Sequence, residues 1–237
     1  MAGHSKWANM KHRKERSDKK KGKIFSRITK EIMSAVKQGG SDPKANSKLR
    51  VAIQKAKDAN MPSDNVERNI KKASSSDQQD FSEMTYELYG HGGVGILVDI
   101  MTDNKNRISG EIRIATNKHG GTIATPGAVS YNFDRKGLFR IPKTSVSEDD
   151  LFLLVTEAGA EDLVIEDEYY TVYTSVEAFI PVKEALQQAK IGFDEAELAM
   201  VAKNLIEVNE EIANQNISLI EYLENLDDVD AVFHNMK

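Results

Sequence analysis

The chain has 237 residues, of which 40% are apolar and 29% charged. That is the profile of a folded protein with room for one large domain or two to three small ones. No cysteine is present, which excludes disulfides, a thiolate nucleophile and cysteine-ligated zinc. The net charge of −5 hides a split: residues 1–72 hold 20 Lys/Arg against 7 Asp/Glu, and residues 73–237 hold 12 against 30. A front of +13 joined to a remainder of −18 points to a polyanion-binding part attached to an acidic part. The longest apolar run, Val94 to Met101, carries Asp99 and falls short of the roughly 20 residues of a membrane span. The first residues contain no apolar stretch of the secretory type, so a soluble, cytoplasmic protein without membrane contact is expected.

Residues 1–23 show no apolar periodicity and predict an extended arm that turns helical near Lys11 to Lys21. Phe25, Ile28, Ile32, Ala35 and Val36 recur at helical spacing up to Gly39–Gly40. Asp42–Pro43 reads as an N-cap with proline at the first helical position, opening a helix striped by Leu49, Ala52, Ile53 and Ala56. After the break at Asn60-Met61-Pro62, Ser63 or Asp64 reads as the cap of a third helix facing inward through Val66, Ile70 and Ala73. Three such stripes cover one another in a small bundle. Ser74 to Asp80 is polar and reads as a linker.

Beyond it the spacing predicts strands at Thr85 to Tyr89 and Val94 to Met101, a helix from Asn104 to His119 capped by Asp103, and a strand from Val129 to Phe133. Gly137 to Ile141, Ser147 to Ala158, Leu163 to Ile165, Tyr169 to Thr174, Val176 to Ala189 and Ala196 to Val201 then follow the β-α-β-β-α-β order of ferredoxin-like folds. A helix from Glu210 to Leu226 and a strand from Ala231 to His234 close the chain. The expected fold class is multi-domain α+β. A three-helix domain with arm and linker occupies 1–80. Two α/β domains of ferredoxin-like character follow, one of 135–205 inserted into a discontinuous one of 81–134 plus 206–237.

The candidate nucleic-acid-binding residues are the cations of the front third: Lys6, Lys11, Arg13, Lys14, Arg16, Lys19, Lys20, Lys21, Lys23, Arg27, Lys30, Lys48, Arg50, Lys55 and Lys57. Lysine and arginine neutralise phosphates and release counterions, and His4 and His12 add hydrogen-bond donors. Trp7 offers a ring that stacks on an unpaired base, or apolar area that packs on the bundle. No zinc-finger spacing, zipper heptad or RNA-recognition strand appears, which favours backbone binding over base reading.

Tyr89-Gly90-His91-Gly92-Gly93-Val94-Gly95 lacks the Gly-Lys-Ser/Thr of a phosphate loop and leads into a strand, so it reads as a hairpin turn needing positive φ. Lys105 and Arg107 oppose the dipole of the helix they open, which makes them secondary anion-contact candidates beside the alternative of a solvated surface. The five histidines show no metal-ligand spacing, and the adjacent acidic pairs fall in predicted caps and turns. The expectation is therefore a non-enzyme without metal or cofactor.

Met1-Ala2-Gly3-His4-Ser5-Lys6-Trp7-Ala8-Asn9, then Lys11-His12-Arg13 and Gly22-Lys23-Ile24-Phe25-Ser26, resemble the YebC/PmpR family. So do Tyr86 to Gly90 with Gly92 to Gly95, Thr102-Asp103-Asn104-Lys105-Asn106-Arg107, Asp227-Asp228-Val229-Asp230 and His234-Asn235-Met236. The resemblance runs the length of the chain. It implies a helical first domain, two α/β domains and a cytoplasmic regulator of gene expression. Family naming favours a DNA-binding transcriptional regulator, with RNA polymerase or other proteins as partners of the acidic domains. Mitochondrial relatives resemble translational activators, which makes RNA, the ribosome and the translation machinery the rival partners.

Overall fold

The structure, a computed structural model, describes residues 17–74 and 81–237; of residues 17–21 and 23 it describes the backbone alone. The chain opens with helices α1 (Ser17–Gly39), α2 (Ser47–Asp58) and α3 (Ser63–Ala73). Their apolar stripes meet as expected: Ile28, Ile32, Val36, Leu49, Ala52, Ala56 and Val66 are buried together. Each Ile or Leu so buried stabilises the bundle by about 1.5–3 kcal/mol.

Two helix starts in the bundle differ from the sequence reading. Asp42 does not cap α2; its carboxylate accepts from the Lys44 N–H, and the helix begins four residues later behind Asn46. Asn46 is buried, accepts from the Leu49 N–H and donates its amide to the carbonyls of Ala35 and Gly40. An aspartate has no donor for those two carbonyls, so asparagine alone satisfies the α1–α2 corner. The residue before α3 is Pro62, and no side chain caps that helix.

The remainder forms two four-stranded antiparallel sheets. The first contains β1 (Ser82–Tyr89), β2 (Gly95–Thr102), β3 (Thr122–Ile123) and β8 (Val229–His234), in the order β3-β1-β2-β8. Tyr89 pairs with Gly95 across the glycine turn, where Gly92 and Gly93 have φ of 68° and 79°. Helices α4 (Lys105–His119) and α7 (Glu210–Glu224) cover one face, packing Ile108, Ile112, Leu219 and Leu223 on Leu88, Ile96, Val98 and Ile100. Asn104, not Asp103, caps α4, because Asp103 is taken by Arg107.

The second sheet contains β4 (Phe133–Pro142), β5 (Ala160–Ile165), β6 (Tyr169–Thr174) and β7 (Glu195–Ala202), in the order β5-β6-β4-β7. Helices α5 (Glu148–Glu157) and α6 (Phe179–Gln188) supply Leu151, Val155, Val182 and Leu186 to the core beneath it. Chain order and sheet order together are those of a ferredoxin-like unit. The strand expected at Val129 to Phe133 is instead a 3-10 turn at Ser130–Asn132 leading into β4. The Glu87 carboxylate explains the difference, since it accepts the N–H groups of Gly127, Val129 and Ser130 and draws that backbone out of line. Burial raises the Glu87 carboxyl, but these hydrogen bonds outweigh it and hold the group below its ordinary value.

The three units are joined in two different ways. The two sheets share an apolar cluster in which Leu97 and Phe233 pack with Val129, Phe133, Met200 and Ala202. The bundle core takes in one residue from beyond the linker, Phe81, and polar contacts link it to both sheet units.

Candidate nucleic-acid interface

Charge segregation puts the basic helices first, and the structure shows where their side chains go. Lys30 in the middle of α1 donates to the carbonyl of Met101 at 3.2 Å, the carbonyl of Asp227 at 2.8 Å and Asp228 Oδ1 at 3.1 Å. Its three protons are thereby used. From α4, Arg107 donates to the other oxygen of the same carboxylate, from Nη2 at 2.6 Å and Nε at 3.1 Å, and to Asp103 at 2.7 Å. The Thr102 hydroxyl adds a fourth contact to Asp228 at 2.8 Å. Burial raises the Asp228 carboxyl, but the hydrogen bonds from Arg107, Thr102 and Lys30 outweigh it and keep the group charged. The same bonds push the Arg107 guanidinium further up.

One turn earlier on α1, Arg27 donates to the backbone carbonyl of Asp230 and lies 3.4 Å from Glu31. Asp230 is mostly buried, and burial pushes its carboxyl up to about 6; Arg27 opposes the shift and Glu31 adds to it. Arg27, Lys30 and Arg107 thus face carboxylates of the protein itself. Asp228, which the sequence reading placed with Asp227 in a cap or turn, and Asp230 hold the bundle to the first sheet. Their run of acids beside β8 is visible in the sequence, but nothing there pairs it with α1.

The α2 cations split into two rows. Lys48 and Lys55 line a cleft of about 900 Å³ bounded by the bundle, the open face of the first sheet and β7. Lys48 donates to Gln38 and Lys55 to Glu31. That cleft carries Arg27, Lys48, Lys55 and Arg135 against Glu31, Glu83, Glu87, Asp99 and Asp230, so it offers no net attraction to phosphate. Arg50 and Lys57 stand about 200° from Lys48 and Lys55 around the helix axis and are exposed. Arg50 donates to the carbonyl of Pro43 at 3.1 Å. Lys19, Lys20, Lys21 and Lys23 fall on the first turns of α1, and Lys105 is exposed on the first turn of α4. His4, Lys6, Trp7, Lys11, His12, Arg13, Lys14 and Arg16 lie outside the described residues.

The glycine turn is closed from within. Asn216, fully buried on α7, accepts from the His91 N–H at 2.8 Å and donates to the His91 carbonyl at 3.0 Å. Among the described residues no group of three or more acids or histidines is arranged to hold a metal. No helix among them is long and apolar enough to cross a membrane.

A crystal structure of a conserved hypothetical protein from Aquifex aeolicus superposes with a TM-score of 0.85 at 40% identity, covering 98% of this chain and 97% of that one. A probable transcriptional regulatory protein of Protochlamydia amoebophila is 61% identical over all of this chain and 97% of its own length. Relatives with the same description in Chlamydia muridarum and Chlamydia felis are each 55% identical over the full length of both chains. Residues 5–76 match the family model of the TACO1/YebC N-terminal domain, and residues 81–236 match that of the TACO1/YebC second and third domains. Two adjoining matches in the family's own domain order, one ending and the next beginning where helices give way to sheets, make this chain a member of the TACO1/YebC family.

Proposed function

We propose that the chain is a cytoplasmic regulator of gene expression that binds duplex DNA through its basic first domain and acts by binding, without a catalytic step. The observation that carries this reading is the separation of charge, +13 in residues 1–72 against −18 in the rest. The description of its relatives as probable transcriptional regulatory proteins supports transcription as the process. On this reading the acidic sheets contact proteins such as RNA polymerase. A second reading, an RNA- or ribosome-binding translation factor, draws on Trp7, an aromatic ring set among cations in the way unstacked bases favour.

Binding to duplex DNA, structured RNA and ribosomes, measured at several salt concentrations, tests both. A front domain that neutralises about six phosphates loses roughly 10³-fold in affinity between 50 and 200 mM salt. The K19A/K20A/K21A variant should bind more weakly with a shallower salt slope. Tight ribosome binding beside weak DNA binding selects the second reading. Undiminished binding to all three after deletion of residues 1–74 removes both.

A further inference from the structure

The acidic remainder of the chain contains one basic helix. Residues 73–237 hold 12 Lys/Arg, and four of them, Lys105, Arg107, Arg113 and Lys118, lie on the 15 residues of α4 beside a single acid, Glu111. The inner face of this helix is fixed by buried Ile108, Ile112, Ala115 and Thr116. Its outer face presents Asn106, Gly110, Arg113 and Asn117 in one stripe with Ile114, which is 55% exposed. Arg107 is held by Asp228 and Asp103, and Lys118 lies over the Tyr222 ring. Lys105 and Arg113 have no side-chain hydrogen bond or ion pair among the described residues.

Gly110 is the second observation. A glycine inside a helix lowers its stability relative to alanine. Glycine is usually kept there because a neighbour leaves no space for a Cβ. At Gly110 an added Cβ meets nothing within 4 Å, so no contact within the described residues calls for its absence. A bare backbone in an exposed polar stripe beside Arg113 is suited to close approach by a partner. The stripe is also placed next to the basic bundle, because α4 and α1 meet at Asp228 through Arg107 and Lys30.

We propose that the exposed face of α4 around Gly110 and Arg113, together with Lys105 on the helix's first turn, is a second contact for the phosphodiester backbone of the duplex DNA that the bundle takes. This rests on the DNA-binding reading above and extends it into the acidic part of the chain.

The test uses the full chain with a labelled 20-base-pair duplex and, in parallel, a labelled structured RNA, with anisotropy read between 50 and 200 mM salt. Losing two phosphate contacts should flatten the slope of log affinity against log salt by about 2 for K105Q/R113Q. At 100 mM the same variant should bind about tenfold more weakly. Gly110→Gln should bind more weakly while melting at a higher temperature, a combination that a folding defect does not give. Unchanged slope and affinity in both variants, with K19A/K20A/K21A still impaired, overturns the α4 contact and leaves the DNA reading standing. Absence of salt-dependent duplex binding by the unaltered chain overturns that reading and the α4 contact with it. Impairment of structured-RNA binding alone overturns the assignment to DNA.

Discussion

Lys30 and Arg107 grip opposite oxygens of one carboxylate, that of Asp228, and so tie the first helix of the bundle to the first helix of the α/β body. The side chain of Asp228 is 4% exposed and that of Lys30 14%, so both charges are largely withdrawn from water. Removing one partner from such an arrangement strands the others. Asp228→Ala should cost about 3 kcal/mol in urea unfolding. Asp228→Asn, which keeps an acceptor for Thr102, should cost less. A loss below about 1 kcal/mol for the alanine variant, the level of an exposed pair, would show that this junction does not stabilise the chain.

Asp228 and Asp230 should respond to pH with opposite signs. Asp228 is held below its ordinary value, so its contribution is present above the unfolded-state pKa near 4 and disappears as pH falls through the lower folded value. Asp230 titrates near 6 when folded, so its contribution is full below about pH 4 and disappears as pH rises through 6. Asp230→Asn should therefore be more stable than the parent at pH 7.5, by roughly 2 kcal/mol, and equal to it near pH 4. Unfolding midpoints across that range decide the matter. A difference independent of pH would contradict the assigned direction.

The two rows of cations on α2 should behave differently toward nucleic acid. Lys48 and Lys55 face a cleft whose charges cancel, whereas Arg50 and Lys57 face away from it. R50A/K57A should weaken duplex binding and reduce the salt slope by about 2, and K48A/K55A should leave both nearly unchanged. Equal losses in the two variants would mean that the cleft itself admits phosphate.

Asn216 and Asn46 are buried amides that hydrogen-bond backbone groups of distant segments. Asn216→Ala takes the acceptor from the His91 N–H and one of two donors from the His91 carbonyl, and should cost about 2 kcal/mol. Asn46→Ala removes a helix cap and two corner hydrogen bonds together, for a similar loss. Denaturant midpoints check both. A slow-exchanging His91 amide in Asn216→Ala would argue that another group replaces the lost acceptor.

Features set by neighbours along the chain were legible in the sequence. The stripe from Ile28 to Val36, the stop at Gly39, the positive-φ glycines of the hairpin and the strand-helix order from β4 to β7 all follow from local periodicity and turn chemistry. What escaped depends on residues far apart. Asp42 and Asn46 are both good caps by type, and the choice rests on the carbonyl of Ala35 eleven positions back. The turn at 130–132 rests on Glu87, and no periodicity announces that a strand residue will collect three distant N–H groups. The same limit applied to the candidate interface. Counting cations marks the front third as basic, but it does not separate Arg27 and Lys30 from the other cations, because 198 positions separate Lys30 from the carboxylate that holds it.

The place of β8 beside β2 has a consequence for how the protein is made. A ribosome delivers residues 133–202 early enough for the second sheet to assemble from its own strands. The first sheet must wait. Until residues 229–234 emerge, one edge of β2 keeps its N–H and C=O groups unpaired, beside the buried positions Ile96, Val98 and Ile100. An unfilled edge of that kind invites pairing with another chain. Asp228 is made just before β8, so the bundle gains this anchor only after every strand of the second sheet has been synthesised. A chain cut short before Asp228 would keep every basic residue of the bundle and every strand of the second sheet, yet lose the carboxylate that ties the bundle to the first sheet.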